Sequence, residues 1–382
     1  MERTSFQDRV VIATTLTALR IVAAAIFLAA FGNSIAANAP SQPGLIQQEG
    51  DITVRDFHFQ NGDKLPEVRL HYTTLGTPQR DSSGHVTNAV LLLHGTSGTG
   101  KAFLAPTVAG ELFGPNQPLD ASRYYIIIPD GLGRGGSSKP SDGLRARFPK
   151  YGYGDVVSAH YQLVHDGLRV DHLRLVLGVS MGGMQAWMWA ERYPYMMDAI
   201  MPIACQPMQI SGRNLIFRRI LTEAIRNDPD WKGGDYTTPP QHWLFTAPLW
   251  PVILDSAVRL QTQGPNRKAA IDTYDRMVGA ARQYDANDFL YWLESSWDYD
   301  PQPTLNQIKA HVVAVNFADD VINAADLSIV KTLVESVPSA QFVLIPEDAR
   351  TIGHLTLSLA VVWKSYLERL LRESSPRTAL EK

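Results

Sequence analysis

The sequence predicts an α/β fold in which a mostly parallel central sheet is flanked by helices and interrupted by an inserted helical cap. Three observations predict it. From about residue 54 strand-like and helix-like stretches alternate, the signature of parallel strands joined by crossover helices. Most strand candidates are continuous apolar runs, as expected of strands buried on both faces. The alternation then stops between Cys205 and Leu305, a stretch rich in Trp, Tyr and Pro that is far longer than a connecting loop needs. The 382 residues therefore divide into an N-terminal segment (1–39), a first part of the core (40–205), a helical cap (206–304) and a second part of the core (305–382).

The first segment differs in kind from the rest. Arg3, Arg9 and Arg20 precede IVAAAIFLAAF (21–31) and the small-residue run NSIAANA, which together resemble a secretory signal with cleavage after Ala36 or Ala39. Export to the periplasm or medium is the expectation; the alternative is an uncleaved membrane anchor over residues 10–31. A single cysteine, Cys205, rules out an internal disulfide, and its apolar surroundings IMPIAC mark it as a packed small hydrophobe. Net charge is only -3 and no block of Lys and Arg occurs, so nucleic acid and anionic membranes are not expected partners.

Strands are expected at 68–75, 89–94, 124–130, 173–178, 199–204, 311–316 and 341–346. Helices are expected in DVVSAHYQLVHDGL and in GHLTLSLAVVWKSYLERLLRES. In the cap, Trp231, Trp243, Trp250, Trp292 and Trp297 either pack as core or line a substrate entrance, core being the commoner use of such residues.

Two glycine-rich stretches imitate phosphate-binding loops. In HGTSGTGKA (94–102), Gly95, Gly100 and Lys101 fit G-x-x-x-x-G-K, but Ala102 stands where a hydroxyl should hold magnesium. Lys101 then reads as an ordinary exposed lysine. GLGRGG (131–136) fits G-x-G-x-x-G, yet SSKPSD follows it with loop character, where pyrophosphate would need a helix N-terminus. No cofactor and no metal is expected.

The chemistry-bearing motif is GVSMGG (178–183), a G-x-S-x-G with strand LRLVL before it and helix-like MQAWMWAERY after it. That context makes Ser180 the expected nucleophile, on a turn sharp enough to strain its backbone, with Gly178 and Gly182 giving room. A serine hydroxyl needs a base, and the base needs an acid; in such sites they follow the serine in the order acid, histidine. Of ten histidines only His354 lies beyond the late strands, in TIGHLT. His160, His165 and His172 are expected in solvent. For the acid, HVVAVNFADD offers two candidates, Asp319 and Asp320. The N–H groups of Met181 and Thr96 are expected to hold the oxyanion, Gly95 letting the chain turn close to substrate.

With these residues placed, the chain resembles the α/β-hydrolase superfamily and, within it, the homoserine O-acetyltransferase branch. The resemblance runs from about residue 54 to 370, through NAVLLLHGTSG, GVSMGGMQAWMWAERYP, AIRNDPDWKGGDY and DANDFLYWLESSWDYD, IKAHVVAVNFADD, then GH. Laid without gaps from Ile308, Lys309 and Ala310, it puts the family's acid on Asp320. It implies an acyl-serine intermediate, a cap that shapes the acyl pocket, and a homodimer. The loops DGLGRGGSSKPSD and HGTSGTG depart from the acetyltransferase pattern, and an exported enzyme meets no acetyl-coenzyme A. The sequence therefore favours a serine hydrolase cleaving a small carboxylic ester, with amide or lactone second. An acyltransferase on the same residues is the alternative, and a non-catalytic binding module on the same scaffold a third.

Overall fold

A computed structural model describes residues 46–325, 328–374 and 376. Residues 1–39, expected from the sequence to direct export, lie outside them. Four strands are buried at every residue: β3 (Ala89–Leu93), β4 (Tyr125–Pro129), β5 (Leu175–Val179) and β6 (Ala199–Ile203). Beside them run β7 (His311–Phe317) and β8 (Ala340–Ile345), and at the far edge a hairpin of β1 (Gln47–His58) and β2 (Lys64–Leu75). The order is β1-β2-β4-β3-β5-β6-β7-β8. β1 and β2, and β2 and β4, pair antiparallel, and every other pair is parallel.

Side chains alternate across each strand, and the helices divide accordingly. On one face Leu91, Leu93, Val176 and Ile200 meet α2 (Tyr153–Tyr161), α3 (Met181–Arg192) and α9 (Ile329–Glu335). On the other Val90, Leu92, Leu175 and Met201 meet α1 (Pro106–Leu112) and α10 (Ala360–Glu373). The chain leaves β3 for β4 on one side and returns to place β5 on the other. Strand order therefore reverses at β3, and in open sheets ligands bind outside the carboxyl ends of the strands at such a reversal.

Between β6 and β7 lie α4 (Gly212–Arg226), α5 (Leu249–Leu254), α6 (Ala257–Gln263), α7 (Arg267–Ala281) and α8 (Ala286–Glu294). They close on their own apolar cluster, which contains Trp243, Trp250 and Phe289. Trp297, by contrast, is 56% exposed. Helix α8 ties this cap to the loop after β4. The Trp292 indole N–H donates to the Gly133 carbonyl at 2.7 Å, and the Arg134 guanidinium carbon sits 3.3 Å from the Trp292 ring centroid.

Two sequence expectations need correction. β1 had no counterpart among the predicted strands, because as an edge strand it buries only Val54 and Phe57 and shows no apolar run. His160 is buried, not solvated. It lies one helical turn beyond Val156, on the stripe of α2 that faces the sheet. Burial lowers its pKa to about 3, so it packs as a neutral ring. His172 pairs with the buried Asp198 at 2.8 Å, while His165 pairs at the surface with Asp166. Among the described residues no helix is long and apolar enough to cross a membrane.

Candidate active site

The strand β5 ends at Val179 and α3 starts at Met181, leaving one residue for the turn. Ser180 takes φ 54° and ψ −115°, a conformation that costs a non-glycine residue on the order of 1–3 kcal/mol and is kept only when its surroundings impose it. They do. The Ser180 N–H donates to the Ile203 carbonyl of β6 at 2.8 Å. A Cβ on Gly178 would stand 2.0 Å from the Gly182 carbonyl oxygen, and one on Gly182 would stand 2.0 Å from that of Leu93. Only glycines let α3 descend this closely onto β5 and β3.

His354 arrives on the loop after β8, with Nε2 2.8 Å from Ser180 Oγ. Its Nδ1 is 2.7 Å from Asp320 Oδ2. An Nδ1–H donated to that carboxylate leaves Nε2 as the acceptor for the serine proton, the tautomer a general base requires. Both His354 and Asp320 are buried. Burial raises the pKa of Asp320, but the charge of His354 and hydrogen bonds from His354, Asn323 and the Ile322 N–H outweigh it and hold the carboxyl below its ordinary value. Of the adjacent pair, then, Asp320 faces the imidazole. Asp319 turns the other way, and its Oδ2 accepts the Gly353 N–H at 2.7 Å.

Asn323 belongs to this group and was not anticipated. Its side-chain N–H₂ reaches Asp320 Oδ2 and the Ala204 carbonyl, both at 2.9 Å. The only sequence sign was an Asn three residues past the acid, a spacing no motif singles out.

Beside Ser180 stands the turn after β3. A Cβ on Gly95 would lie 3.4 Å from the Ser180 Cβ, so the backbone entering Thr96 runs beside the nucleophile. Met181 opens α3, and the first N–H groups of a helix lack intrahelical partners. Thr96 follows the residue that lies against Ser180, and Met181 follows Ser180 directly. The hydroxyl of Thr96 is itself buried and unpartnered.

The two phosphate-like loops prove to be filled from within the chain. Asp130 Oδ1 accepts the Gly100 N–H at 2.7 Å, and its Oδ2 accepts the Gly136 N–H at 2.8 Å. His94 braces the same corner, its Nδ1 2.9 Å from the Gly95 carbonyl and its Nε2 accepting the Gly131 N–H at 2.9 Å. Burial first, with Arg134 adding to it against the pull of Asp130, lowers the His94 pKa to about 4, so the ring is neutral. Lys101 is exposed, as expected. In the cap, Asp228, Asp230 and His242 bring metal-type donors within 4.8 Å of one another. Asp228, however, spends its oxygens on the N–H groups of Trp243 and Asp230, which makes it a turn cap.

Where α8 meets the core, Asp288 accepts both the N–H and the O–H of Ser141, at 2.9 and 2.7 Å. Burial raises its pKa to about 6 against these bonds, with Asp285 adding and Lys139 opposing. The folded state therefore holds this proton more tightly than the unfolded chain. The resulting stability is full at acid pH and is lost as pH rises through about 6. Asp288→Asn removes the charge and keeps a partner for Ser141. Its thermal midpoint relative to wild type should climb between about pH 5 and about pH 8; a calorimetric difference independent of pH would refute the assignment.

Comparison with known proteins agrees with this architecture. Residues 90–354 match the family model for the alpha/beta hydrolase family. A homoserine O-succinyltransferase of Magnetococcus marinus is 30% identical over 309 residues, 69% of this chain and 77% of its own length. A homoserine O-acetyltransferase of Haemophilus influenzae is 29% identical over 309 residues, 72% of this chain and 84% of its own. Among solved structures, the acetyl esterase MekB is similar at a TM-score of 0.73 and 25% identity, covering 85% of this chain and 97% of that one. Serine turn, reversed strand order and relatives converge: the chain belongs to the alpha/beta hydrolase family, in its homoserine O-acetyltransferase-like branch.

Proposed function

We propose that the protein is an acyltransferase that carries an acyl group on Ser180 and delivers it to the hydroxyl of a small acceptor of the homoserine type. The observation that supports this most is the line of hydrogen bonds from Ser180 Oγ through His354 to Asp320, at 2.8 and 2.7 Å, all on one side of a strained serine. In the first half-reaction His354 Nε2 takes the serine proton as Oγ attacks the donor carbonyl. The tetrahedral oxyanion is received by the N–H groups of Thr96 and Met181; loss of one such donor costs about 3 kcal/mol. Collapse expels the donor's thiol or alcohol with the proton from His354. In the second half the acceptor hydroxyl gives its proton to Nε2 and attacks the acyl-serine, and collapse expels Ser180 Oγ, which takes that proton back from His354. Asp320 keeps its charge throughout and steadies the imidazolium.

The sequence alone placed ester hydrolysis by an exported enzyme first. The relatives, mainly homoserine acyltransferases, favour the transfer reaction instead. Hydrolysis keeps one supporting observation, the similarity to an acetyl esterase, and it fits a protein exported by residues 1–39.

The test is direct. Purified protein is given acetyl- or succinyl-coenzyme A with and without homoserine, free thiol is followed, and O-acylhomoserine is sought by mass spectrometry. Homoserine-dependent thiol release is the expected result. Turnover of p-nitrophenyl acetate with no acceptor dependence would make hydrolysis the function. Failure of a fluorophosphonate probe to label Ser180 would remove both and leave a binding module.

A further inference from the structure

Two carboxylates stand side by side at the end of β7, and the reaction scheme uses one. The other holds the backbone immediately before the base. Asp319 Oδ2 accepts the Gly353 N–H at 2.7 Å, while the next residue, Asp320, takes the imidazole at 2.7 Å. The loop from 346 to 353 has few other anchors. Among the described residues, its remaining hydrogen bonds run between 348 and 356: Asp348 with Arg350 and Thr351, the Ile352 N–H to Thr356 Oγ1, and the Thr356 N–H to the Gly353 carbonyl. The bond to Asp319 is the tie that joins this loop to the strand carrying the acid.

On its other side the loop is walled by the cap. Gly353 takes φ 67°, and a Cβ there would stand 2.9 Å from the Ser256 nitrogen and 3.0 Å from the Asp255 carbonyl carbon. The residue preceding His354 is thus held between a carboxylate from the core and a backbone corner of the cap. An imidazole fixed only by its ring bond to Asp320 could pivot about that bond. With its backbone fixed as well, Nε2 has one direction of approach, the one that meets Ser180 Oγ.

We propose that Asp319 is a positioning residue that aims the His354 ring at Ser180 by gripping the Gly353 N–H. This rests on the acyl-serine reading given above. Asp319→Ala removes the acceptor, whereas Asp319→Asn keeps a side-chain carbonyl in the same place. With p-nitrophenyl acetate as substrate, Asp319→Ala should lower kcat on the order of 10²-fold with little change in KM, the loss expected when a reacting group is misplaced by about 1 Å. Asp319→Asn should recover most of it. The rate of fluorophosphonate labelling of Ser180 should fall and recover in parallel.

Equal kcat in wild type and Asp319→Ala would overturn the proposal, and so would an Asn variant as slow as the Ala variant. Should Asp319→Ala not fold, hydrogen exchange on the wild-type protein decides: a protected Gly353 amide is expected, and one exchanging as fast as an open loop refutes the grip. Wild-type protein that fails to label at all would count against the acyl-serine reading, leaving the exchange measurement to judge the Asp319 contact separately.

Discussion

Ser180→Ala is expected to abolish turnover of both thioester and chromogenic ester, with kcat lowered on the order of 10⁴-fold or more and the fold unchanged. The side chain points from the turn toward His354 Nε2, 2.8 Å away, and is not part of either core cluster, so removing its hydroxyl leaves packing intact. His354→Ala should lose as much, and the double variant scarcely more, because nucleophile and base act as one unit. Steady-state rates and phosphonate labelling of the three variants check this. An alanine variant at 180 that kept even a hundredth of the wild-type kcat would remove Ser180 from the mechanism.

Gly182→Ala has the largest expected effect on stability. Its new methyl group would lie 2.0 Å from the Leu93 carbonyl oxygen and 2.4 Å from its carbon, both backbone of the central strand β3. No side chain can swing aside, so the helix or the strand must move. Overpacking of this kind costs about 3 kcal/mol or more, and it displaces the turn at His94 to Thr96 that borders Ser180. Gly279→Ala is the matching control. That glycine is exposed on α7 with nothing within 4 Å of a Cβ, and helix propensity makes the change worth up to about 1 kcal/mol in the stabilising direction. Denaturant midpoints of opposite sign for the two substitutions are the expected result; a neutral Gly182→Ala would mean the elbow is looser than its contacts imply.

How far the sequence could be read follows from what each residue's partners are. Ser180 was legible because strand, small residues and helix all lie within a few positions of it. His354 was legible by its place after the last strand. Asp319 and Asp320 could not be separated by local pattern, since which one faces the imidazole depends on how a loop 34 residues further on is threaded. Asn323 and Asp130 were invisible for the same reason: their importance lies in bonds to Ala204 and to Gly100 and Gly136, and nothing near them in the chain announces it. The glycine loops imitated nucleotide sites because backbone N–H groups arranged around an anion look alike in sequence whether the anion is a phosphate or the protein's own carboxylate. His160 was misjudged by residue type; its helical spacing from Val156 would have placed it inside.

The corner at Asp255 and Ser256 presses on Gly353 from the cap side. The cap therefore also braces the backbone just before His354. Exchanging it for the corresponding segment of a relative, an obvious route to new specificity, transplants part of the support for the His354 imidazole as well. A chimera built without that corner would change what the enzyme binds and misalign what it binds against.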